Sequence, residues 1–177
     1  SLLLNQTGAY NTATGADALY NNTTGTLNTA SGYSALYTNT TGGFNVASGG
    51  WALFSNTTGN SNTAIGYDAL YSNQNGMNNT AIGVETLVRN TAGSSNTALG
   101  FFALINNTTG NNNIAVGEHA GSNLTTGSDN INIGNFGKVG ESNKIRIGTI
   151  GIQKATFIAG IRGVTVASGV GVIVGTD

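Results

Sequence analysis

The chain has 177 residues, with 28 Gly, no Pro, no Cys and only 7% charged residues. A net charge of −1 offers no basic field for nucleic acid or anionic lipid, and no apolar run reaches the 18 residues that predict a membrane helix. Disordered chains are usually Pro-rich and highly charged, and this chain is neither; without Cys it has no disulfide staples.

The sequence repeats. Asn11, Asn28, Asn45, Asn62, Asn79, Asn96, Asn113 and Asn130 recur every 17 residues. A Gly row follows in phase at Gly15, Gly32, Gly49, Gly66, Gly83, Gly100, Gly117 and Gly134, and a second Gly row runs from Gly8 to Gly127. A Leu row holds Leu19, Leu36, Leu53, Leu70, Leu87 and Leu104, and beside it stand the large residues Tyr20, Tyr37, Phe54, Tyr71, Val88 and Ile105. A unit this short buries too little to offset the entropy of ordering its own backbone, so it must stack on its neighbours. The expected fold is mainly β, a parallel β-solenoid or β-roll of 17-residue coils over residues 1–142, with a different β unit over 143–177 that closes it.

Within a coil the elements read in order. "NTAIG" predicts a short strand, with Thr63 and Ile65 on one face and Ala64 on the other, ended by Gly66. "GYDALYSN" is open between a strand and a helical turn that groups Tyr67, Leu70 and Tyr71, with the turn slightly favoured. "NTTG" predicts a corner. Asn residues stacked in successive coils are expected to form side-chain amide ladders.

One strand face changes along the chain. Its fourth repeat position reads Thr14, Ser31 and Ser48, then Ile65, Ile82, Leu99, Val116 and Ile133, while the opposite face keeps Ala in seven coils. So thin a coil cannot house all of these groups, and one of the two faces is expected to pack against other copies of the chain. From Gly121 the unit degrades, and the repeat beginning at Asn130 is expected to shorten to 13 residues. The last stretch is β-branched and Gly-punctuated, with Lys138, Lys144, Arg146, Lys154 and Arg162 in it or just before it.

The repeats of "NTAIGYDALYSN", followed by "NKIRIGT…ATFIAGIRGVTV", resemble the shafts of phage-type tail fibre proteins that precede an endosialidase-type intramolecular chaperone domain. The phrase "NTAIG" is also similar to the head repeats of trimeric autotransporter adhesins, which form left-handed β-rolls. The resemblance implies a homotrimeric rod, virion-borne or at the cell surface, that contacts a host glycan or protein receptor. The self-cleaving chaperone residues of that family have no counterpart here.

No catalytic constellation, metal set or cofactor site is expected. Asp17, Asp68, Glu85 and Glu118 fall at the sixth or seventh repeat position, the first three along one flank of the coils, where solvated charges are the plainer reading, although Asp68 and Glu85 stand one coil apart. His119 is the only His, and one His with no Cys excludes ordinary zinc sites. Asn22, Asn39, Asn56 and Asn107 each precede Thr-Thr; these glycosylation signals are read as corners. Trp51 and Phe102 interrupt a polar row and are the candidate glycan or receptor contacts, weighed against packing on a neighbouring chain. The leading function is a structural and adhesive fibre segment. The alternatives are an ice-binding solenoid with a ladder of Thr12, Thr29, Thr63, Thr80 and Thr97, and a polysaccharide-cleaving β-helix.

Overall fold

The computed structural model describes residues 1–149 and 151–153. Nine three-residue strands lie in it: β1 Thr12–Thr14, β2 Thr29–Ser31, β3 Val46–Ser48, β4 Thr63–Ile65, β5 Thr80–Ile82, β6 Thr97–Leu99, β7 Ile114–Val116, β8 Ile131–Ile133 and β9 Ile145–Ile147. They form one all-parallel sheet in chain order, and every strand pairs residue for residue with the equivalent strand of the next coil. At a strand spacing of about 4.8 Å, the nine strands make a stack roughly 38 Å long. This is the β-solenoid that the repeat predicts.

The core is narrow and built from rows. The Ala of each strand points inward, and Ala30, Ala47, Ala64, Ala81, Ala98 and Ala115 are fully buried. Leu19, Leu36, Leu53, Leu70, Leu87 and Leu104 face them, also fully buried. Leu70→Ala leaves a void that rigid coils above and below cannot close. The expected cost is about 3 kcal/mol in urea unfolding; a loss under about 1 kcal/mol would contradict this packing.

The helical turn weighed for residues 67–71 is not there, and neither is a second strand. Asp68 and Leu70 both have left-handed backbone, at φ 55° and 53°, and the equivalent residues of the other coils repeat those angles. The resulting arch turns both Ala69 and Leu70 inward, which no strand does. The reason is the stacking. An α-helix is about 10 Å across and cannot repeat every 4.8 Å. The arch instead sends its backbone bonds to the next coil, from Leu70 N–H to Thr86 O (3.0 Å) and from Ser72 N–H to Val88 O (3.0 Å). Those bonds sustain a conformation that costs roughly 1–2 kcal/mol for each non-Gly residue.

The expected amide ladder is present. Asn62 Nδ2 donates to Asn45 Oδ1 (3.2 Å) and Asn79 Nδ2 to Asn62 Oδ1 (3.1 Å), and the same pattern runs from coil to coil. A second ladder joins Asn22, Asn39, Asn56, Asn73, Asn90 and Asn107, with Nδ2 to Oδ1 distances of 2.8–3.0 Å. Each of these residues also closes its own corner, as Asn39 Nδ2 does on Gly42 O (2.9 Å). The corner then receives the next coil: Thr23, Thr24 and Gly25 all donate backbone N–H groups to Thr40 O, at 3.0–3.2 Å.

The far end adjusts locally. Gly121 stands in the Leu row, and Leu124, in the row of the second ladder, is the buried Leu of that coil. That ladder therefore ends at Asn107, whose Oδ1 has no partner. The short coil spans 14 residues, not 13, because Ile131 pairs with Ile145. Lys144 thus takes the place of a ladder Asn and donates only its backbone N–H to Asn130 Oδ1 (3.1 Å). Asn132 and Arg146 occupy the inward Ala row. Glu141 meets Arg146 with both carboxylate oxygens, at 2.9 and 2.7 Å. That hydrogen bond, partly opposed by burial, holds the Glu141 carboxyl below its usual range. β9 carries the sheet past the boundary drawn at residue 142; Ile150 and residues 154–177 of the expected closing unit lie outside the described residues.

Candidate functional site

Two surfaces of the solenoid carry groups that its own packing does not use. The first is the outer face of the sheet. With Ala inward, the second and fourth repeat positions point out, and neither column is covered. Ile65, Ile82, Ile114, Val116 and Ile133 are 36–41% exposed, about as much as neighbours above and below allow an outward strand residue. From β4 to β9 the fourth-position column makes a straight apolar strip about 25 Å long, while the second-position column beside it is Thr63, Thr80 and Thr97 and turns apolar only from Ile114 on. From β1 to β3 the same columns hold Thr12, Thr14, Thr29, Ser31 and Ser48, with Val46 the one apolar residue, so that end is mostly polar.

The second surface lies on the ridge just after the strands, at the sixth and seventh repeat positions. Trp51 sits between Tyr33 and Tyr67, with ring centroids at 5.6 and 5.2 Å and near-perpendicular planes. Gly50 puts no side chain between the two tyrosines, which leaves that place to the Trp51 ring; a Cβ at Gly50 would touch the Tyr67 ring at 3.5 Å. Asp68 and then Glu85 continue the Trp51 row. Burial, and next the Glu85 charge, push the Asp68 carboxyl above its usual range. Partial desolvation and then the same two carboxylates push the Tyr67 phenol up. Oδ1 of Asp68 is shut off from solvent without a hydrogen-bond partner among the described residues.

Phe102, the other candidate contact, belongs to a separate cluster three coils further on. Its ring lies 3.9 Å from Phe101 and 5.1 Å from His119, which also approaches Phe136 at 6.2 Å. Trp51 and Phe102 are therefore not brought together, and each packs on rings of its own chain. His119 faces Glu118 at only 4.0 Å. Among the described residues no three His, Cys, Asp or Glu side chains converge on one point. The ladder residues Asn28, Asn45, Asn62, Asn79, Asn96 and Asn113 are wholly buried and serve the fold. Asn22, Asn39, Asn56 and Asn107 are equally buried, so the folded solenoid withholds these four sequons from any glycosylating enzyme. Tyr33, Gly50 and Tyr67 were not singled out as contact residues in the sequence. The only signal there is the Tyr-Gly-Tyr order along one repeat position.

No family model, curated protein or solved structure matches this chain.

Proposed function

We propose that the chain is a structural and adhesive segment of a homotrimeric fibre, borne on a virion or a cell surface, in which the rod sets reach and its flank contacts a host glycan or protein receptor. The observation that carries this reading is the straight apolar strip on the outer sheet face. Its side chains recur at the coil rise of about 4.8 Å. The surface that meshes with such a column in register is another column of the same rise, which a second copy of this chain supplies. The strip is also one strand wide, too narrow to receive a helix along its length but suited to a strand face across an axis. The likeness of the repeats to tail fibre shafts supports three copies around that axis. No chemistry is needed for this role, and the stacked carboxylates Asp68 and Glu85 read as part of a contact surface.

Light scattering at micromolar concentration is expected to give three times the mass of one chain. Ile82→Lys places a charge in the centre of the strip without touching the coil interior. It is expected to lower that mass to one chain while the β-type circular dichroism persists. A monomeric wild-type protein would remove the basis of the fibre reading.

Ice binding is favoured by one observation: Thr12, Thr29, Thr63, Thr80 and Thr97 all point outward from one sheet in register, interrupted by Val46. The companion column turns to Ile from Ile65 on, which breaks the two-column array that ice would meet. Thermal hysteresis of the purified chain separates the two readings.

A further inference from the structure

We propose that Tyr33, Trp51 and Tyr67, together with Asp68 and Glu85, form a binding site for a neutral hexopyranose oligosaccharide; this rests on the adhesive half of the function above and not on its assembly.

The molecule carries two aromatic rows, and they differ in what they leave free. Tyr20, Tyr37, Phe54 and Tyr71 stack face to face at 5.1–5.3 Å with planes within 5–21°. Each ring there uses its faces on its neighbours, and all four are partly buried. The ridge is different. Its rings meet edge to face, and Tyr33 and Tyr67 are 53% and 47% exposed. They stand two coils apart, about 10 Å at the strand spacing, which is the length of a disaccharide. Gly50 adds no side chain there, and the Trp51 ring fills the interval, so the three rings make one continuous row. A row of partly exposed aromatic rings suits the apolar C–H faces of sugar rings.

The polar rim matches sugar hydroxyls. The Trp51 indole N–H and the two phenol hydroxyls make no hydrogen bond to the described residues, and none of them is a closed-off orphan, so all are open to a ligand. Asp68 follows in the same row; its Oδ1 is shut off from solvent, so the acceptors open to a ligand are its Oδ2 and the carboxylate of Glu85, which stacks one coil beyond it. Carboxylates accept from hydroxyl donors, and such charge-assisted bonds are the stronger kind. The same two charges set the ligand class. The nearest cation along the chain, Arg89, is turned to Asn106 at 2.8 Å, so nothing on the ridge offsets a negative sugar. Sialylated and uronate chains would meet like charge, and neutral hexoses would not.

Trp51 is the only Trp in the chain, so tryptophan fluorescence, excited selectively over the tyrosines, reports on this site alone. The wild-type chain is titrated with malto-, cello-, manno- and galacto-hexaose, and in parallel with oligogalacturonate and oligosialic acid. The expected result is a saturable fluorescence change with at least one neutral chain and none with the acidic ones. Tyr67→Ala and Asp68→Asn should each weaken that binding at least about tenfold, equal to about 1.4 kcal/mol. Phe102→Ala, three coils away, should leave it unchanged. No saturable change with any neutral chain, equal binding of the acidic ones, or full binding by both the Tyr67 and Asp68 variants would overturn the site. Light scattering on the same samples keeps the two readings apart. A monomer that binds sugar sinks the fibre assembly and upholds the site, and a trimer that binds none sinks the site alone.

Discussion

Asn79→Ala is expected to lower the melting temperature by roughly 10–20 °C, although no apolar side chain is lost. Asn79 is fully buried in the middle of the first amide ladder. Its Nδ2 donates to Asn62 Oδ1 (3.1 Å) and to Gly93 O (2.8 Å), and its Oδ1 accepts from the backbone and side-chain nitrogens of Asn96 (3.0 and 3.1 Å). Alanine strips the Asn96 backbone N–H and the Gly93 carbonyl of these partners in a site that water cannot reach. Each unsatisfied buried group costs about 1–3 kcal/mol, so the sum is about 3–6 kcal/mol with the void included. For a chain of this size that is several degrees per pair of kcal/mol. A linear stack has no other route between its halves, so the transition should also broaden or split. Thermal scans by circular dichroism check both effects. Gln74→Ala, whose side chain is exposed, is the control and should stay within about 0.5 kcal/mol of wild type. Equal melting of the two variants would mean that the ladder does not hold the coils together.

Gly83→Ala is expected to be worse, at about 4 kcal/mol or more, and to leave most of the protein insoluble on expression. Gly83 ends β5 at φ 136°, a conformation that L side chains rarely adopt. A Cβ there would stand 2.6 Å from Gly100 O and 2.8 Å from both Gly100 C and Thr86 Oγ1. Thr86 Oγ1 already donates to Gly100 O at 2.7 Å, so neither neighbour can retreat cheaply. Backbone strain of about 1–3 kcal/mol adds to the clash. Gly134 gives the contrast. It holds the same repeat position at φ 57°, but nothing lies within 4 Å of its would-be Cβ. Gly134→Ala should cost only about 1–2 kcal/mol, the left-handed penalty alone. Urea midpoints of the two variants would show the difference; similar midpoints would mean that coil spacing does not set this glycine row.

The strand and its neighbours were legible because they depend on facts that a linear pattern carries. Asn62, Ala64, Gly66 and Leu70 recur in phase, and recurrence with a fixed interval means in-register stacking. The arch was not legible. Tyr67, Leu70 and Tyr71 share a helical face on paper, but the choice between helix and arch lies in backbone bonds to residues 16 positions away, such as Leu70 to Thr86. The second ladder was hidden for a similar reason. Asn39 and Asn56 carry the local signature of a corner, and only stacking reveals that the same amides join corner to corner. At the degraded end, Leu124 replaces Gly121 in the core because space, not repeat position, decides which side chain fills it. The ridge divides in the same way. Trp51 stands out against a polar row, while Tyr33 and Tyr67 become its partners only once Gly50 is seen to leave the interval between them to the indole.

By itself the sequence determined that identical short coils stack in parallel, which rows repeat, and that a strand face changes from polar to apolar along the stack. Those are properties of period and composition, and a single chain written out in line contains them. The tertiary structure alone decided which strand face points outward, how the Leu segment bends, and which aromatics meet. These depend on groups in different coils competing for the same backbone donors and the same few ångströms of interior, and that competition exists only after the coils have closed on one another.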